Sequence, residues 1–162
     1  MERKIQRLPG SATAPSNGDA PVLLVQPFLD LHAAGQLMQA LQESSIMALQ
    51  FPTSAVLCNI LGAIYSKLEK FDAAIASIQK MITIEPNYAE AHFNMASVLD
   101  LKGDRQAAIN GYKRAIQINP DYAEANFNVG NLFRNQDDLD AAITSYRNAI
   151  NSHTEYAEAH HN

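Results

Sequence analysis

The chain has 162 residues and a mass of 17.8 kDa, enough for one domain with an apolar core, since 47% of its residues are hydrophobic. Its formal net charge of −5 at pH 7, without a basic stripe, argues against a nucleic-acid-binding protein. Its single cysteine excludes an internal disulfide, and no apolar run is long enough to cross a membrane.

Residues 1–20 differ in composition from the rest of the chain. They are rich in Pro, Gly, Ser, Ala and Asn and hold few bulky apolar residues, so we expect a flexible N-terminal segment. The basic residues Arg3, Lys4 and Arg7 are not followed by the apolar run that a signal peptide requires. This composition predicts a cytoplasmic protein.

From Pro52 onward the sequence repeats with a fixed period of 34 residues, which is the distance from Pro86 to Pro120 (120 − 86). The segments EPNYAEA and NPDYAEA surround these two prolines, and the same interval leads back to Pro52 and forward to Thr154. A fixed period of roughly 20–50 residues is typical of stacked repeats rather than of a globular fold. In such proteins function usually lies on an extended surface rather than in a pocket.

Each period contains two predicted helices joined by a short turn. Apolar residues at helical spacing predict first helices over Ala55–Leu68, Ala89–Lys102 and Ala123–Gln136, and second helices over Phe71–Ile84, Arg105–Ile118 and Leu139–Asn151. In the clearest turn, Gly103 suits a left-handed helix end and Asp104 suits the next N-cap. Proline cannot extend a helix that has already formed, so Pro86 and Pro120 end the second helices.

The residues that recur in each period follow a recognisable pattern. They include Leu61, Gly62, Tyr65, Ala74 and Pro86, and in the next period Tyr112, Ala115 and Pro120. With this pattern the chain resembles the tetratricopeptide-repeat family. The resemblance implies an all-α fold, a right-handed α-solenoid of stacked helix-turn-helix units, that serves as a protein-interaction module. Full units are expected at 55–88, 89–122 and 123–156, a degenerate unit at 21–54, and the start of a truncated further unit at 157–162.

One departure from the family pattern concerns how closely the helices pack. Pairs of small residues recur in register at Ala73–Ala74, Ala107–Ala108 and Ala141–Ala142, and we expect them to mark where the two helices of a unit cross. The second unit has Ala96 where the family usually has glycine. We therefore expect slightly looser packing in that unit.

Catalytic and metal-binding patterns are missing from the sequence. The histidines, His32, His92, His153, His160 and His161, form no i, i+4 pair, and no cysteine or acidic residue completes a metal site with them. There is no glycine loop of phosphate-binding form and no Gly-x-Ser-x-Gly element. Cys58 lies on an apolar helical stretch and is expected to be a buried structural thiol. We expect no catalytic residue, no cofactor and no metal, and a protein that is not an enzyme.

Two glutamates, Glu90 and Glu124, allow two interpretations. Asn87-x-x-Glu90 and Asp121-x-x-Glu124 resemble capping boxes, in which the glutamate reaches back to a backbone N–H, and we favour this interpretation. In the other interpretation, both glutamates form an acidic ladder on the surface that binds ligands.

The partner-binding surface is predicted from asparagines in register. Asn94, Asn128 and Asn162 are each one period apart, and the family resemblance implies that the first helices, which carry them, line a concave groove. An amide both donates and accepts hydrogen bonds, so a row of amides can bind the backbone of an extended peptide. The row is similar to the asparagine ladder of O-linked N-acetylglucosamine transferases. Asparagine is, however, also common across the repeat family at this position.

Further residues complete the predicted peptide-binding set. Phe93 and Phe127 precede two of the asparagines and are predicted to be apolar anchors for the partner, although they also suit packing between first helices. Asn59, Asn131 and Arg134 share the same face by helical spacing. Basic residues are sparse on this face, so capture of an acidic C-terminal tail is not expected. The expected partner is a protein or peptide, not a nucleic acid or a membrane.

Two alternative functions stay open at this point. One is the non-catalytic, substrate-recruiting N-terminal region of a multidomain transferase of the sulfotransferase, glycosyltransferase or methyltransferase type. It is favoured by Gly35, Phe51-Pro52 and Asn59–Ala63, which resemble the repeat regions of some bacterial proteins of this kind. The other is end-to-end self-association, because a truncated unit would expose apolar helix surface.

Overall fold

The computed structural model describes residues 18–159, so most of the predicted N-terminal segment and the predicted site residue Asn162 lie outside the described residues. Within that range the chain forms eight α-helices and no β-strand. The helices are α1 (Val22–Ala33), α2 (Leu37–Gln50), α3 (Ala55–Lys67), α4 (Phe71–Ile84), α5 (Ala89–Lys102), α6 (Arg105–Ile118), α7 (Ala123–Arg134) and α8 (Leu139–Ala159).

The helices pack in sequence as hairpins, α1 with α2, α3 with α4, α5 with α6, and α7 with α8. Two compact units result, of which the first ends at Pro86 and the second begins at Asn87, and each holds two hairpins. The predicted all-α fold of helix-turn-helix units is confirmed. The boundaries of the individual repeats stay predictions.

The turn inside every hairpin contains one residue in the left-handed conformation. These residues are Gly35, Glu69, Gly103 and Asp137, each one period after the last, with φ of 75°, 57°, 94° and 60°. In each turn the next residue donates its N–H to the carbonyl five positions earlier, as from Asp104 to Leu99 at 2.9 Å. This bond pairs a carbonyl that the helix end would leave unpaired. The repeat period therefore extends back to Gly35, inside the predicted degenerate unit.

Helix ends follow the turn chemistry closely in the middle of the chain. Helices α4, α5 and α6 begin and end at the predicted residues. Gly103 ends α5, and Asp104 caps α6 because its Oδ1 accepts a hydrogen bond from the Ala107 N–H at 3.2 Å. Helices α3 and α7 end one and two residues before the predicted positions, at Lys67 and Arg134.

The predicted end of α8 at Asn151 is wrong, because α8 continues to Ala159. Helices α4 and α6 end just before Pro86 and Pro120, whereas the equivalent position in α8 is Thr154. Threonine keeps the backbone N–H that proline lacks, so helical hydrogen bonding can continue through it. A further unit that starts at residue 157 stays a prediction.

In the first unit the segment before α1 is tied to the start of α3. The Ala20 N–H donates to Ser54 Oγ at 3.2 Å, and Asp19 Oδ1 accepts a hydrogen bond from the Ala55 N–H at 2.9 Å. Ala20 is buried in the core of this unit. Asp19 and Ala20, which fall within the predicted flexible segment, are therefore held in place.

In the second unit the core forms between α5, α6 and α7. Its buried members are Phe93, Ala96, Ala108, Ile109, Tyr112, Ala115, Ala125, Val129 and Leu132. The alanines allow the helices to approach closely, while Tyr112 fills the space between them. This core fixes the orientation of α5 and α7, which carry most of the predicted binding residues.

Candidate functional site

The predicted binding residues lie on three helices and differ in exposure. Asn59 lies on α3 of the first unit, Phe93 and Asn94 lie on α5 of the second, and Phe127, Asn128, Asn131 and Arg134 lie on α7. Asn59 and Phe93 are buried, the other three asparagines are half-buried, and Phe127 and Arg134 are exposed. The predicted residues of α7 thus share one accessible face.

The two phenylalanines of the predicted set have different environments. Phe93 is 7% exposed, and its ring stacks on Tyr122 at a centroid distance of 4.9 Å and meets Tyr112 at 5.6 Å. Phe127 is 53% exposed and meets Tyr146 at 5.7 Å. Phe93 is therefore a core residue, and we leave it and the buried Asn59 out of the candidate site.

A chain of hydrogen bonds orients the amide of Asn128. Ser97 Oγ donates to the Phe93 carbonyl at 3.0 Å, the Tyr112 hydroxyl lies 3.1 Å from Ser97 Oγ, and Asn128 Nδ2 donates to the Tyr112 hydroxyl at 3.4 Å. A carbonyl can only accept, so the serine proton goes to Phe93 and the Tyr112 hydroxyl must donate to Ser97. Asn128 therefore uses one of its two N–H donors inside the protein and retains Oδ1 as an acceptor.

The amide of Asn131 is oriented in the opposite sense. The Tyr146 hydroxyl donates to Asn131 Oδ1 at 2.9 Å. Asn131 and Tyr146 stand one period after Ser97 and Tyr112, so the same contact between the two helices of a hairpin recurs. Because the oxygen of Asn131 is used internally, its Nδ2 group is the part that can donate to another molecule.

We call the surface formed by Phe127, Asn128, Asn131 and Arg134 the amide face. Phe127, Asn131 and Arg134 follow each other at four and three residues on α7, and Asn128 lies at the edge of the same side. An acceptor and a donor one helical turn apart match the N–H and C=O groups of a peptide backbone. The guanidinium of Arg134 adds a positive charge, and the ring of Phe127 adds apolar surface.

Sequence reasoning missed the two tyrosines that orient this face. Tyr112 and Tyr146 stand one period apart, and neither was included in the predicted binding set. Their spacing of 15 residues from Ser97 and Asn131, which is the same in both hairpins, is the signal that could have revealed the contact. The signal becomes meaningful only once the crossing of the two helices is known.

The predicted capping boxes are wrong. Helices α5 and α7 begin after Tyr88 and Tyr122, neither of which makes a side-chain cap, so Asn87 stands one position outside the cap. Asn87 instead accepts a hydrogen bond from Arg114, and Glu90 Oε2 accepts one from the Tyr88 hydroxyl at 2.6 Å. Glu90 therefore makes a different local contact, and an acidic ladder of Glu90 and Glu124 stays a prediction.

Other chemical groups in the described residues do not assemble into a second site. Residues 18–159 hold no cluster of three His, Cys, Asp or Glu side chains that would suit a metal ion. None of the helices in this range has the length and apolar character needed to span a bilayer. Cys58 is buried as predicted, and this burial raises the pKa of its thiol above the ordinary value, which disfavours the reactive thiolate.

Comparison with family models identifies repeats across the chain. A model described as TPR repeat matches residues 101–137, and a model described as tetratricopeptide repeat matches residues 55–88 and 123–152. Together these segments cover more than half of the 162 residues.

Individual proteins show the same likeness. The probable UDP-N-acetylglucosamine–peptide N-acetylglucosaminyltransferase SEC of Arabidopsis thaliana is 33% identical over 78 residues, which is 48% of this chain and 8% of that protein. A crystal structure of MamA superposes with a TM-score of 0.77 and 24% identity over 83% of this chain and 79% of MamA. MamA from Desulfovibrio magneticus RS-1 gives a TM-score of 0.74 and 16% identity over 82% of this chain and 75% of that one. The likeness to these structures shows the fold.

Proposed function

Because this chain belongs to the tetratricopeptide-repeat family, we propose that it is a protein-interaction module that binds an extended segment of a partner protein on the amide face. Repeats of this family generally bind protein partners. The amide face is an accessible surface of the second unit where aromatic, amide and cationic groups occur together. A bound peptide would therefore find both backbone and side-chain contacts there.

The observation that carries this proposal is the opposite orientation of the two amides. One N–H of Asn128 is bonded to the Tyr112 hydroxyl, and Asn131 Oδ1 is bonded by the Tyr146 hydroxyl, so a partner would use Asn128 Oδ1 and Asn131 Nδ2. A peptide lying along α7 would donate one N–H to Asn128 Oδ1 and accept at one carbonyl from Asn131 Nδ2. Neither asparagine has to reorganise, which lowers the cost of binding.

Side-chain selectivity would come from the two ends of the face. Phe127 offers a half-exposed ring for an apolar side chain of the partner. Arg134 lies almost two helical turns further along α7 and favours a partner carboxylate. Asn94 lies on α5, one period before Asn128, and extends the row of amides. The preferred segment is therefore extended, with an apolar residue and an acidic residue separated by a few positions.

Substrate recruitment for a transferase is not favoured as the function. This chain spans 8% of the length of the curated relative that it matches, so the activity of that protein is not carried over. The amide face would bind an extended segment equally well without any catalytic domain.

The proposal is tested with a phage-displayed library of random 12-residue peptides, panned against the full 162-residue chain. Enriched peptides are synthesised, and their affinity is measured by fluorescence anisotropy. We expect Asn128→Ala and Asn131→Ala each to weaken binding about tenfold, the worth of one buried hydrogen bond. Asn110→Ala, an exposed asparagine on α6, is the matched control and should leave the affinity unchanged.

Backbone recognition is tested by N-methylating the peptide at one position at a time. Methylation at the N–H that Asn128 binds should weaken binding to the unaltered chain and have little further effect on Asn128→Ala, because both changes remove the same hydrogen bond. If every enriched peptide binds equally well to both alanine variants, the amide face is not the binding surface. If the library yields no binder, peptide recognition itself is contradicted.

A further inference from the structure

The outer side of α8 is a second exposed apolar surface of the same unit. Leu139, Ile143 and Ile150 are 58%, 48% and 62% exposed. They follow each other at four and seven residues, so they lie on one side of the helix. We call the surface formed by these three residues the α8 face. An apolar row of this kind on a soluble protein usually marks a contact with another helix.

The residue one period before Ile143 shows that a helix can cover this position of the repeat. Ile109 on α6 corresponds to Ile143, and it is 1% exposed because it packs in a core with Val129 and Leu132 of α7. The repeat therefore places at this position an aliphatic side chain that packs against a neighbouring helix. Ile143 is suited to the same packing.

Charges beside the α8 face indicate which helix fits it. Asp140 and Arg147 are exposed, lie seven residues apart on the same flank, and are the charged residues between Leu139 and Ser152. When two copies of α8 run antiparallel about a twofold axis, Arg147 of each copy stands opposite Asp140 of the other. In a parallel pair the twofold axis would place this flank of the two copies on opposite sides of the interface, so Asp140 and Arg147 would form no ion pairs there. The face is thus complementary to itself in the antiparallel direction.

The apolar residues suit the same register. In an antiparallel pair, two residues face each other when the twofold axis passes midway between them in the sequence. This midpoint lies between Ile143 and Thr144 for Asp140 and Arg147, and one residue later for Leu139 and Ile150. One antiparallel arrangement therefore brings Leu139 of one copy beside Ile150 of the other. It also brings the two Ile143 side chains together near the axis. Apolar contact at the centre and ion pairs at the rim are the usual composition of a protein interface.

We propose that the α8 face is a dimer interface, at which a second copy of this chain packs antiparallel and forms two reciprocal ion pairs between Asp140 and Arg147. The interface is small, so association occurs at high rather than low protein concentration. It does not depend on peptide binding by the amide face, and its test measures mass rather than affinity for a ligand.

The experiment is sedimentation equilibrium of the full chain over a dilution series from about 5 to 500 μM, a range that brackets weak dimers. We expect a monomer–dimer equilibrium. The single variants Asp140→Arg and Arg147→Asp oppose like charges at both ion-pair positions and should each raise the dimer dissociation constant about tenfold or more. The double variant Asp140→Arg with Arg147→Asp restores opposite charges and should restore the dimer. Lys80→Asp on α4, which changes net charge as Arg147→Asp does, is the control.

Circular dichroism of each variant verifies that the helices are intact. A chain that stays monomeric throughout the series overturns the proposal and leaves the α8 face to a different occupant. Association that is equally strong in both single variants also overturns it, because the antiparallel register requires the two ion pairs. Restoration by the double variant is the result that a general effect on stability would not produce.

Discussion

Ala96 and Gly111 meet where α5 crosses α6, and each needs the other to be small. A Cβ atom added to Gly111 would lie 2.8 Å from Ala96 Cβ and 3.3 Å from Ala96 Cα. In the next hairpin the glycine is on the first helix instead of the second. Gly130 stands one period after Ala96, and Ser145 stands one period after Gly111. In the second repeat the glycine is therefore on the facing helix. Gly111 leaves room for the Ala96 side chain, so the looser packing expected from Ala96 does not result.

This exchange predicts the outcome of moving the glycine back. Gly111→Ala alone should lower the free energy of unfolding by about 1–2 kcal/mol, because the overpacking costs more than the gain in helix propensity. Ala96→Gly alone should cost about 1 kcal/mol through lost propensity. The double variant should be nearly as stable as the unaltered chain. Urea unfolding followed by circular dichroism measures all three, and strictly additive costs would contradict the contact.

The left-handed turn residues predict a stabilising substitution. Glu69 has φ of 57°, a conformation that costs an L-residue about 1–2 kcal/mol and glycine almost nothing. Glu69→Gly should raise the free energy of unfolding by about 0.5–1 kcal/mol after the greater flexibility of unfolded glycine is subtracted. Gly103→Ala, at the equivalent turn with open space around it, is the reciprocal control and should destabilise. Equal melting temperatures for Glu69→Gly and the unaltered chain would count against the strain.

The two phenylalanines one period apart should separate stability from binding. Phe93→Ala removes a ring held in the core between Tyr112 and Tyr122 and should cost about 3–5 kcal/mol. Phe127→Ala removes a half-exposed ring and should cost about 1 kcal/mol or less. Urea unfolding compares the two variants directly. A large loss of stability in Phe127→Ala would place that ring in the core and remove it from the amide face.

The buried His32 predicts a dependence of stability on pH. Burial, and to a smaller extent the nearby charge of Lys67, lowers the pKa of His32 below its ordinary value of 6.5. The folded state thus disfavours the protonated ring, so stability is full above the unfolded-state pKa and is lost as the pH falls from about 6.5 through the folded-state pKa. Its Nε2 atom is buried without a hydrogen-bond partner in the described part of the chain.

The measurement is the free energy of unfolding at pH 7.5 and at pH 5.5 for the unaltered chain and for His32→Leu. We expect the unaltered chain to lose stability between these values and the variant to lose less, since leucine does not titrate. His92→Leu serves as the control on a half-buried histidine. An identical loss in all three proteins would mean that other groups dominate the pH dependence.

Much of the helical architecture could be predicted from sequence because its causes are local. Helix α6 begins after Asp104 because an aspartate side chain can cap the helix, and α4 and α6 end before a proline. Where the local signal changes, the prediction failed: Thr154 replaces proline and α8 continues. The N-terminal ends of α5 and α7 were predicted in the right place, but their supposed capping boxes were out of register by one residue.

The candidate site was predicted only in part because its chemistry depends on neighbours distant in sequence. The sequence by itself determined the repeat period, the hairpins and the residues that face the same way on each first helix, since these follow from spacing and turn chemistry. The tertiary structure decided that Phe93 is covered by Tyr122 while Phe127 is exposed, although both occupy the same position of the repeat. It also decided which end of each amide is hydrogen-bonded within the protein, because the hydroxyls of Tyr112 and Tyr146 come from neighbouring helices. Exposure and hydrogen-bond direction are set by what packs against a residue, and a repeated sequence packs against different neighbours along its length.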